Sequence, residues 1–319
     1  MAKVKLQRFE LIALLEDSKK LTDFLQHYGC AHIEKNDNKL SGEAYIQNLS
    51  PITDTFRNKL ETAIKAKDIL EINCNLKKSF IDSLNDFVEL EMHEYKQLCD
   101  DADIIFQKCI KVCDTERMIE EIKEQSAQKK SLIDKYKLWD NLDIPMNSSQ
   151  TVSTAIFLGN MRFRYTKEEF LKSLSDNLSE DIAFDCEIVS SSDLQTCVFV
   201  ICHKSDSKEV STALSKLGFT KPDNPAKKLV KKAVSDVENE VRELEEKLEK
   251  EKSDLISYAS FYDEIRFLCD YCTMILDKYE AVSKAVTTSN TIYYEGYVPE
   301  RNGDQLKFEI EKSFTAQLE

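Results

Sequence analysis

Glycine and proline are scarce in this chain of 319 residues, which holds six of the first and five of the second. Sandwiches and barrels need a turn residue every few positions, so an all-β fold is excluded. The glycines are Gly29, Gly42, Gly159, Gly218, Gly296 and Gly303, and the closest two lie seven positions apart. Neither GxGxxG nor GxxxxGK[ST] fits that spacing, which excludes a Rossmann dinucleotide site and a P-loop. Positive charge is also short, with 44 Lys and Arg against 58 Asp and Glu for a net charge of −14. That balance argues against nucleic acid as a partner. Long apolar runs are missing. The longest charge-free stretch, Ile144 to Met161, contains Pro145, Asn147, Ser148, Ser149 and Gln150 and cannot make a membrane helix of about 20 apolar residues. The opening Met1-Ala2-Lys3-Val4-Lys5-Leu6 lacks the apolar core of an export signal. The ten cysteines therefore read as scattered, reduced thiols of a cytoplasmic protein and not as a disulfide framework.

Charged residues make up 32% of the chain, against about 25% in ordinary proteins. Combined with so little glycine and proline, this favours long helices, in a chain long enough for about two domains. After Pro222 and Pro225 no glycine or proline occurs until Gly296. Steps of four and three from Val230 then pass through Val234, Val237, Val241, Leu244, Leu248, Glu251, Leu255, Tyr258, Tyr262, Ile265, Cys269, Cys272, Leu276 and Tyr279, with one charge among them. Flanking Glu and Lys residues form the solvated face of a coiled coil. The pattern predicts one helix over residues 226–285, about 90 Å long, opened by Pro225. A partner is expected between Pro51 and Pro145, where Leu84, Val88, Tyr95, Leu98, Ala102, Ile105, Cys109, Val112, Ile119 and Ile122 repeat on a helical period. This outgoing stretch is longer than the return and is expected to break near Asn73-Cys74-Asn75 or Cys113-Asp114-Thr115, with three helices side by side over part of its length. Pairing within one chain is favoured over an intermolecular coiled coil.

Between the two helical stretches lie strand patterns at Val152–Leu158, Ile182–Val189, Cys197–Cys202 and near Phe219, with helix patterns at Lys167–Leu178 and Ser207–Leu217. Their order is that of a split β-α-β unit. Near the chain's ends, Val4–Leu14, Ala31–Glu34 and Thr291–Val298 read as strands, and Ser18–His27 and Gly303–Phe314 as helices. The two ends can complete a sheet only by meeting each other. Asp17-Ser18-Lys19 recurs as Asp206-Ser207-Lys208, and the same offset relates Ile12 to Ile201, Leu21 to Val210, Leu25 to Leu214 and Gly29 to Gly218. A strand, a capped helix and a closing glycine are thus expected twice. The fold expected is α+β and predominantly helical, with two small ferredoxin-like α/β lobes joined by a long antiparallel coiled-coil or helical-bundle arm. Residues 1–50 with 287–319 form a proximal lobe, 51–149 with 226–286 the arm, and 150–225 a distal lobe.

Candidate chemistry is thin. His93-Glu94-Tyr95-Lys96-Gln97 has Gln97 where a zinc protease needs its second histidine. Cys269 and Cys272 have CxxC spacing but fall on the helical seam, and Cys109 and Cys113 lie on one helix, so packing explains both pairs. Strand alternation puts Cys197 and Cys202 on opposite faces. Asp100-Asp101-Ala102-Asp103 lacks the glycine and later glutamate of a calcium loop. No catalytic, cofactor or metal residue is assigned. A local basic group of Lys221, Lys227, Lys228, Lys231 and Lys232, with Arg162 and Arg164 in the same lobe, is the candidate docking patch for an acidic protein; a solvated helix start is the plainer reading.

The opening Val4-Lys5-Leu6-Gln7-Arg8-Phe9-Glu10-Leu11-Ile12, then Leu25-Gln26-His27-Tyr28-Gly29 and Ala31-His32-Ile33-Glu34, resembles the start of subunit I (eukaryotic subunit a) of V-type and archaeal-type rotary ATPases. Tyr294-Glu295-Gly296-Tyr297-Val298-Pro299-Glu300 resembles the glycine-aromatic-Val-Pro signature before that family's membrane half, and Phe157-Leu158-Gly159 opens a distal lobe in the expected order. The resemblance spans the chain and implies a stator role. It implies the soluble cytoplasmic half of a non-catalytic subunit that anchors peripheral-stalk heterodimers of E/G type. Such a half would meet the central-stalk collar (C/d type) and continue into a membrane domain absent from this sequence, at the cytoplasmic face of a membrane. No residue here can inherit the arginine of the ion path. A coiled-coil adaptor unrelated to ATPases is the alternative, and it leaves Gly296-Tyr297-Val298-Pro299 unexplained.

Overall fold

In the computed structural model, residues 4–34, 45–46, 49–74, 76, 90–193 and 195–319 are described. They are mostly helical, with two small antiparallel sheets. The chain divides into two units, Met1–Glu116 with Asp254–Glu319, and Arg117–Ser253.

In the first unit, alternation along β1 (Leu6–Leu14) buries Phe9, Leu11 and Ala13 and exposes Arg8, Glu10 and Ile12. The two ends of the chain do meet. β1 pairs antiparallel with β7 (Thr291–Pro299), from Leu6 opposite Pro299 to Leu14 opposite Thr291. β2 (His32–Glu34) lies on the far side of β7, β8 (Ala316–Leu318) on the far side of β1, and the short β6 (Val286–Thr287) also pairs with β7. Helices α1 (Ser18–Tyr28) and α9 (Glu300–Ser313) bring Leu21, Leu25, Leu306 and Ile310 against the buried face. Inside that core, the Tyr294 hydroxyl and Thr22 Oγ1 lie 2.9 Å apart in a hydrogen bond. Gly296 is needed for close approach. A Cβ there would lie 2.0 Å from the His32 carbonyl oxygen on β2.

The rest of this unit is helical. α2 (Ser50–Asn73) packs on α8 (Tyr262–Lys284), with α3 (Met92–Asp100) and the first part of α4 (Ala102–Lys137) alongside. Ala63, Ala66 and Leu70 from α2, Ile105, Cys109 and Val112 from α4, and Ile265, Leu268 and Cys272 from α8 are buried. Lys59 reaches Asp103 at 2.6 Å and Lys108 reaches Glu264 at 2.5 Å, tying α2 to α4 and α4 to α8. α2 ends at Asn73, whose side-chain amide donates to the Ile69 carbonyl at 2.9 Å, a local bond that competes with continued helix. The other expected break does not occur, because Cys113-Asp114-Thr115 lies within α4, where Thr115 is buried. Leu84 and Val88 of the outgoing pattern lie outside the described residues.

In the second unit, β3 (Thr154–Met161), β5 (Thr196–His203) and β4 (Phe184–Ser191) form an antiparallel sheet in the order β3-β5-β4, and Thr220 bridges Asn160 on the outer edge of β3. α5 (Lys167–Ser175) starts with a reciprocal cap between Thr166 and Glu169. With α6 (Ser207–Lys216) it covers one face, where Val198, Val200 and Cys202 are buried. The opposite face, with Leu158, Val189 and Cys197, packs under Tyr136, Trp139 and Leu142 and under Ala226 and Val230. Cys197 and Cys202 therefore do sit on opposite faces. α7 (Val230–Ser257) runs antiparallel to α4 in this unit, with Lys129 at 2.6 Å from Glu240 and Lys130 at 2.8 Å from Glu245.

Every seam position from Val230 to Tyr279 is buried or half-buried, but the helix over 226–285 is not continuous. It begins at Val230 instead of Ala226. The Ala226 carbonyl accepts from the Asn147 amide at 3.3 Å, the Asn224 carbonyl accepts from the Tyr136 hydroxyl at 3.1 Å, and Asn224 has a φ of 54°, so the segment is held off the helical path. A 3-10 turn, Tyr258–Phe261, then separates α7 from α8. The Ser257 hydroxyl donates to the Asp254 carbonyl at 2.6 Å and the Ser260 hydroxyl to the Ser257 carbonyl at 3.0 Å, both local bonds over three residues that suit a tightened turn.

The offset repeat is visible in local geometry. Leu15–Asp17 and Lys204–Asp206 are 3-10 turns that lead into α1 and α6, and Gly29 and Gly218 close those helices with φ of 74° and 81°. The expected helix caps are not made by a side chain in either place. Asp17 and Asp206 have near-helical ψ of −7° and −1°, so neither side chain reaches the helix amides, as an extended cap residue would.

Candidate functional site

The basic residues fall into two groups on the second unit. Arg162 and Arg164 are exposed just past the end of β3, flanking Phe163, which is also exposed, and Arg164 lies 3.3 Å from Asp193. Lys227 and Lys228 precede α7, and Lys231 and Lys232 stand in its first turn, all four exposed. Lys228 is committed to Asp236 at 2.5 Å, and its ammonium holds that carboxyl below the usual carboxylate range. Lys227, Lys231 and Lys232 form no ion pair among the described residues. The two groups lie at different places in the chain path: Arg162 and Arg164 follow β3, whereas the lysines come after the bridge of Thr220 to Asn160, at the start of α7.

The cysteines carry no reactive geometry. Burial, with neighbouring Cys269, Cys113 and Cys272, pushes the Cys109 thiol up to about 12, and burial raises Cys269 to about 11. Such thiols stay protonated and are poor nucleophiles and ligands. Among the described residues no group of His, Cys, Asp and Glu could hold a metal, and no helix is long and apolar enough to cross a membrane. His93 is exposed, with Nδ1 3.2 Å from Glu91. His203 is exposed and its Nδ1 lies 2.8 Å from the Ser205 hydroxyl beside the second 3-10 turn.

Two features escaped the sequence reading. On the open face of the first sheet, Arg8 pairs with Glu295 and lies 3.5 Å from Glu10, and burial with the Glu10 hydrogen bond pushes the Tyr293 phenol up to about 12. Alternation alone places these residues on one face, which was the available signal. The second feature is a groove of about 1020 Å³ in the second unit, where Lys204, Lys208 and Lys221 converge on the edge of β3. Their spacing in sequence gives no hint of it.

No protein-family model matches this chain, and no curated protein sequence matches it. Among solved structures it is similar to the cytoplasmic N-terminal domain of subunit I, homolog of subunit a, of V-ATPase. The two are 13% identical, 98% of this chain and 99% of that chain are covered, and the TM-score is 0.40.

Proposed function

We propose that this chain is a non-catalytic stator element of a rotary V-type ATPase, corresponding to the cytoplasmic half of subunit I (subunit a). The observation that carries the reading is the assembly of β2, β7 and β1 side by side. The segments that resemble the family at the two ends of the sequence, Val4 to Ile12, Ala31 to Glu34 and Tyr294 to Glu300, thereby become neighbours in one sheet. The glycine of the Gly-Tyr-Val-Pro signature occupies the position where β2 leaves no room for a side chain. In this reading residues 1–50 with 287–319, and 150–225, are ferredoxin-like lobes, and 51–149 with 226–286 are the antiparallel arm that connects them. A rotary motor spins its own head unless something holds that head still, so the chain anchors peripheral stalks of E/G type, meets the central-stalk collar (C/d type) and continues into a membrane domain. Arg162, Arg164, Lys227, Lys228, Lys231 and Lys232 are the proposed stalk contacts.

The test is titration of the full chain with a peripheral-stalk heterodimer from the same source, against a variant with Lys227, Lys228, Lys231 and Lys232 all changed to Glu. Modest binding that weakens with salt and in the variant is expected, as exposed charges would give. Absence of wild-type binding rejects the stator assignment. Equal binding by the variant rejects only the basic contact.

A further inference from the structure

The outer edge of β3 is left unfinished at one place. In an antiparallel strand, residues of one parity turn their N–H and C=O groups to the same edge. On β3 that edge belongs to Thr154, Ile156, Leu158 and Asn160. The Thr154 carbonyl accepts from the Thr151 amide at 2.9 Å, the Ile156 amide donates to the Ser149 carbonyl at 2.9 Å, and Asn160 exchanges two bonds with Thr220. Leu158, between them, has no partner on that edge among the described residues. Neither flanking segment offers a free N–H to the Leu158 carbonyl. Continuing the Thr220 pairing would bring Pro222 opposite Leu158, and proline has no N–H to donate. Continuing from Ser149 would bring Asn147 there, but the Asn147 amide is given to the Ala226 carbonyl.

This gap opens into the groove of about 1020 Å³. Ile156, Phe157 and Leu158 form its floor, and Lys204, Lys208 and Lys221 stand on its walls, all three exposed. No carboxylate lines it, although acids outnumber bases in the chain by 14. None of the three ammonium groups forms an ion pair among the described residues. An unpaired N–H and C=O on a strand edge take main-chain bonds from another extended chain, whose neighbouring side chains then meet the walls and floor.

We propose that this groove binds an extended acidic segment of a partner protein. The segment adds to β3 at Leu158 through main-chain hydrogen bonds, and its carboxylates pair with Lys204, Lys208 and Lys221. An apolar floor beside the unpaired main chain of Leu158 suits a peptide better than a lone phosphate, which would use the lysines and leave the floor and Leu158 unused. Lys227 to Lys232 do not line the groove, although Asn147 and Pro225 border both it and Lys227 and Lys228, and its occupation does not depend on the stator assignment.

The probe is a short fluorescein-labelled peptide alternating Glu and Val, titrated by anisotropy into the full chain, with a Lys-Val peptide as comparison. The Glu-Val peptide is expected to bind, more weakly at high salt, and to slow hydrogen exchange at the Leu158 amide at least about tenfold, as a new main-chain bond would. Changing Lys204, Lys208 and Lys221 together to Glu should weaken binding by at least about tenfold while the far-UV circular dichroism is unchanged. The triple change to Gln should give a smaller loss in the same direction, and it serves as the reference if the Glu variant misfolds. No binding, equal binding of the Lys-Val peptide, an unaffected Leu158 amide, or displacement of the bound peptide by inorganic phosphate would each overturn the proposal.

Discussion

Changing Gly296 to Ala tests how β2 is held. The added Cβ would lie 2.0 Å from the His32 carbonyl oxygen, 2.9 Å from its carbon and 3.1 Å from the Ile33 Cα. Carbon contacts are comfortable only from about 3.5 Å, so the β2 backbone must retreat by about 1.5 Å or let go of β7. It pairs with β7 at three positions only, His32 with Tyr297, Ile33 with Gly296 and Glu34 with Glu295. Each ladder hydrogen bond contributes about 0.5–1.5 kcal/mol net, and burial of a side chain like Ile33 about 1.5–3 kcal/mol. Release of the strand should therefore cost about 3–5 kcal/mol, and a strained retreat about 1–3 kcal/mol. Gly218→Ala is the matched comparison. Its φ of 81° strains an alanine, but nothing lies within 4 Å of the new Cβ, so only the backbone cost of roughly 1–2 kcal/mol applies. Urea unfolding followed by circular dichroism gives both values. A double-mutant cycle with Ile33→Ala then separates crowding from a general effect, because Ile33 should matter far less once β2 has been displaced. If Gly296→Ala costs no more than Gly218→Ala, or if the two changes in the cycle simply add, the close approach of β2 and β7 does not govern stability and the reasoning fails.

Two further outcomes follow from burial. Trp139 is 1% exposed among Tyr136, Leu142, Ala226 and Val230, so Trp139→Ala should cost about 3–5 kcal/mol in urea unfolding, and a loss below about 1 kcal/mol would show that the cluster repacks around the gap. Burial raises the Cys109 thiol from 9.0 to about 12 and Cys269 to about 11, and burial with a Cys99 hydrogen bond raises the Tyr95 phenol from 10.0 to about 12. Groups whose acidity is weakened by folding stabilise fully below their unfolded values and lose that contribution as pH rises through the folded ones. The melting temperature should hold to pH 9 and fall steadily towards pH 12, with thiol reagents slow on the folded chain near neutrality; rapid labelling of Cys109 in folded protein would contradict this.

The parts legible in the sequence are those fixed by a period or a clash. The seam from Val230 to Tyr279 is buried or half-buried at every step, because a step of 3.5 residues keeps one side of a helix turned inward. The meeting of the chain's ends followed from strands that had no other partner. What escaped depends on bonds between distant segments. The three-residue β8 pairs with β1 because α9 returns the chain to it, and so short a strand shows no alternation of its own. The late start of α7 at Val230 rests on bonds from Asn147 and Tyr136, the latter 88 positions from its partner Asn224. Lys221 joins Lys204 and Lys208 only because Thr220 pairs with Asn160. The basic residues Arg162, Arg164 and Lys227 to Lys232 were found as a composition signal, and composition carries no information about which of them share a surface.

Positions 189 apart in the two sheets can be compared one by one, and the two sheets have different surroundings. Phe9, Leu11 and Ala13 on β1 correspond to Val198, Val200 and Cys202 on β5, and all six are buried under the helices of their own sheet. Of the positions on the other face, two differ in character and one does not: Arg8 corresponds to Cys197 and Glu10 to Phe199, whereas Ile12 corresponds to Ile201. On β5 this second face is apolar enough to require a second cover, supplied by Tyr136, Trp139 and Val230, and Cys197 is buried there. On β1 and its neighbour β7 the same face holds the exposed Arg8 and Glu10 and the half-buried Glu295, whose charges satisfy one another without an apolar cover. A sheet with one apolar face needs one helical layer, whereas a sheet with two needs a layer on each side, since an uncovered apolar face costs about 25 cal/mol for each Å² left in water. The 3-10 turn, helix and closing glycine occur in both places, each helix followed by a glycine in the left-handed conformation, Gly29 and Gly218. The outward residues answer to what packs on them: Arg8 and Glu10 carry charge where Cys197 and Phe199 do not, whereas the inward residues of both sheets stay apolar.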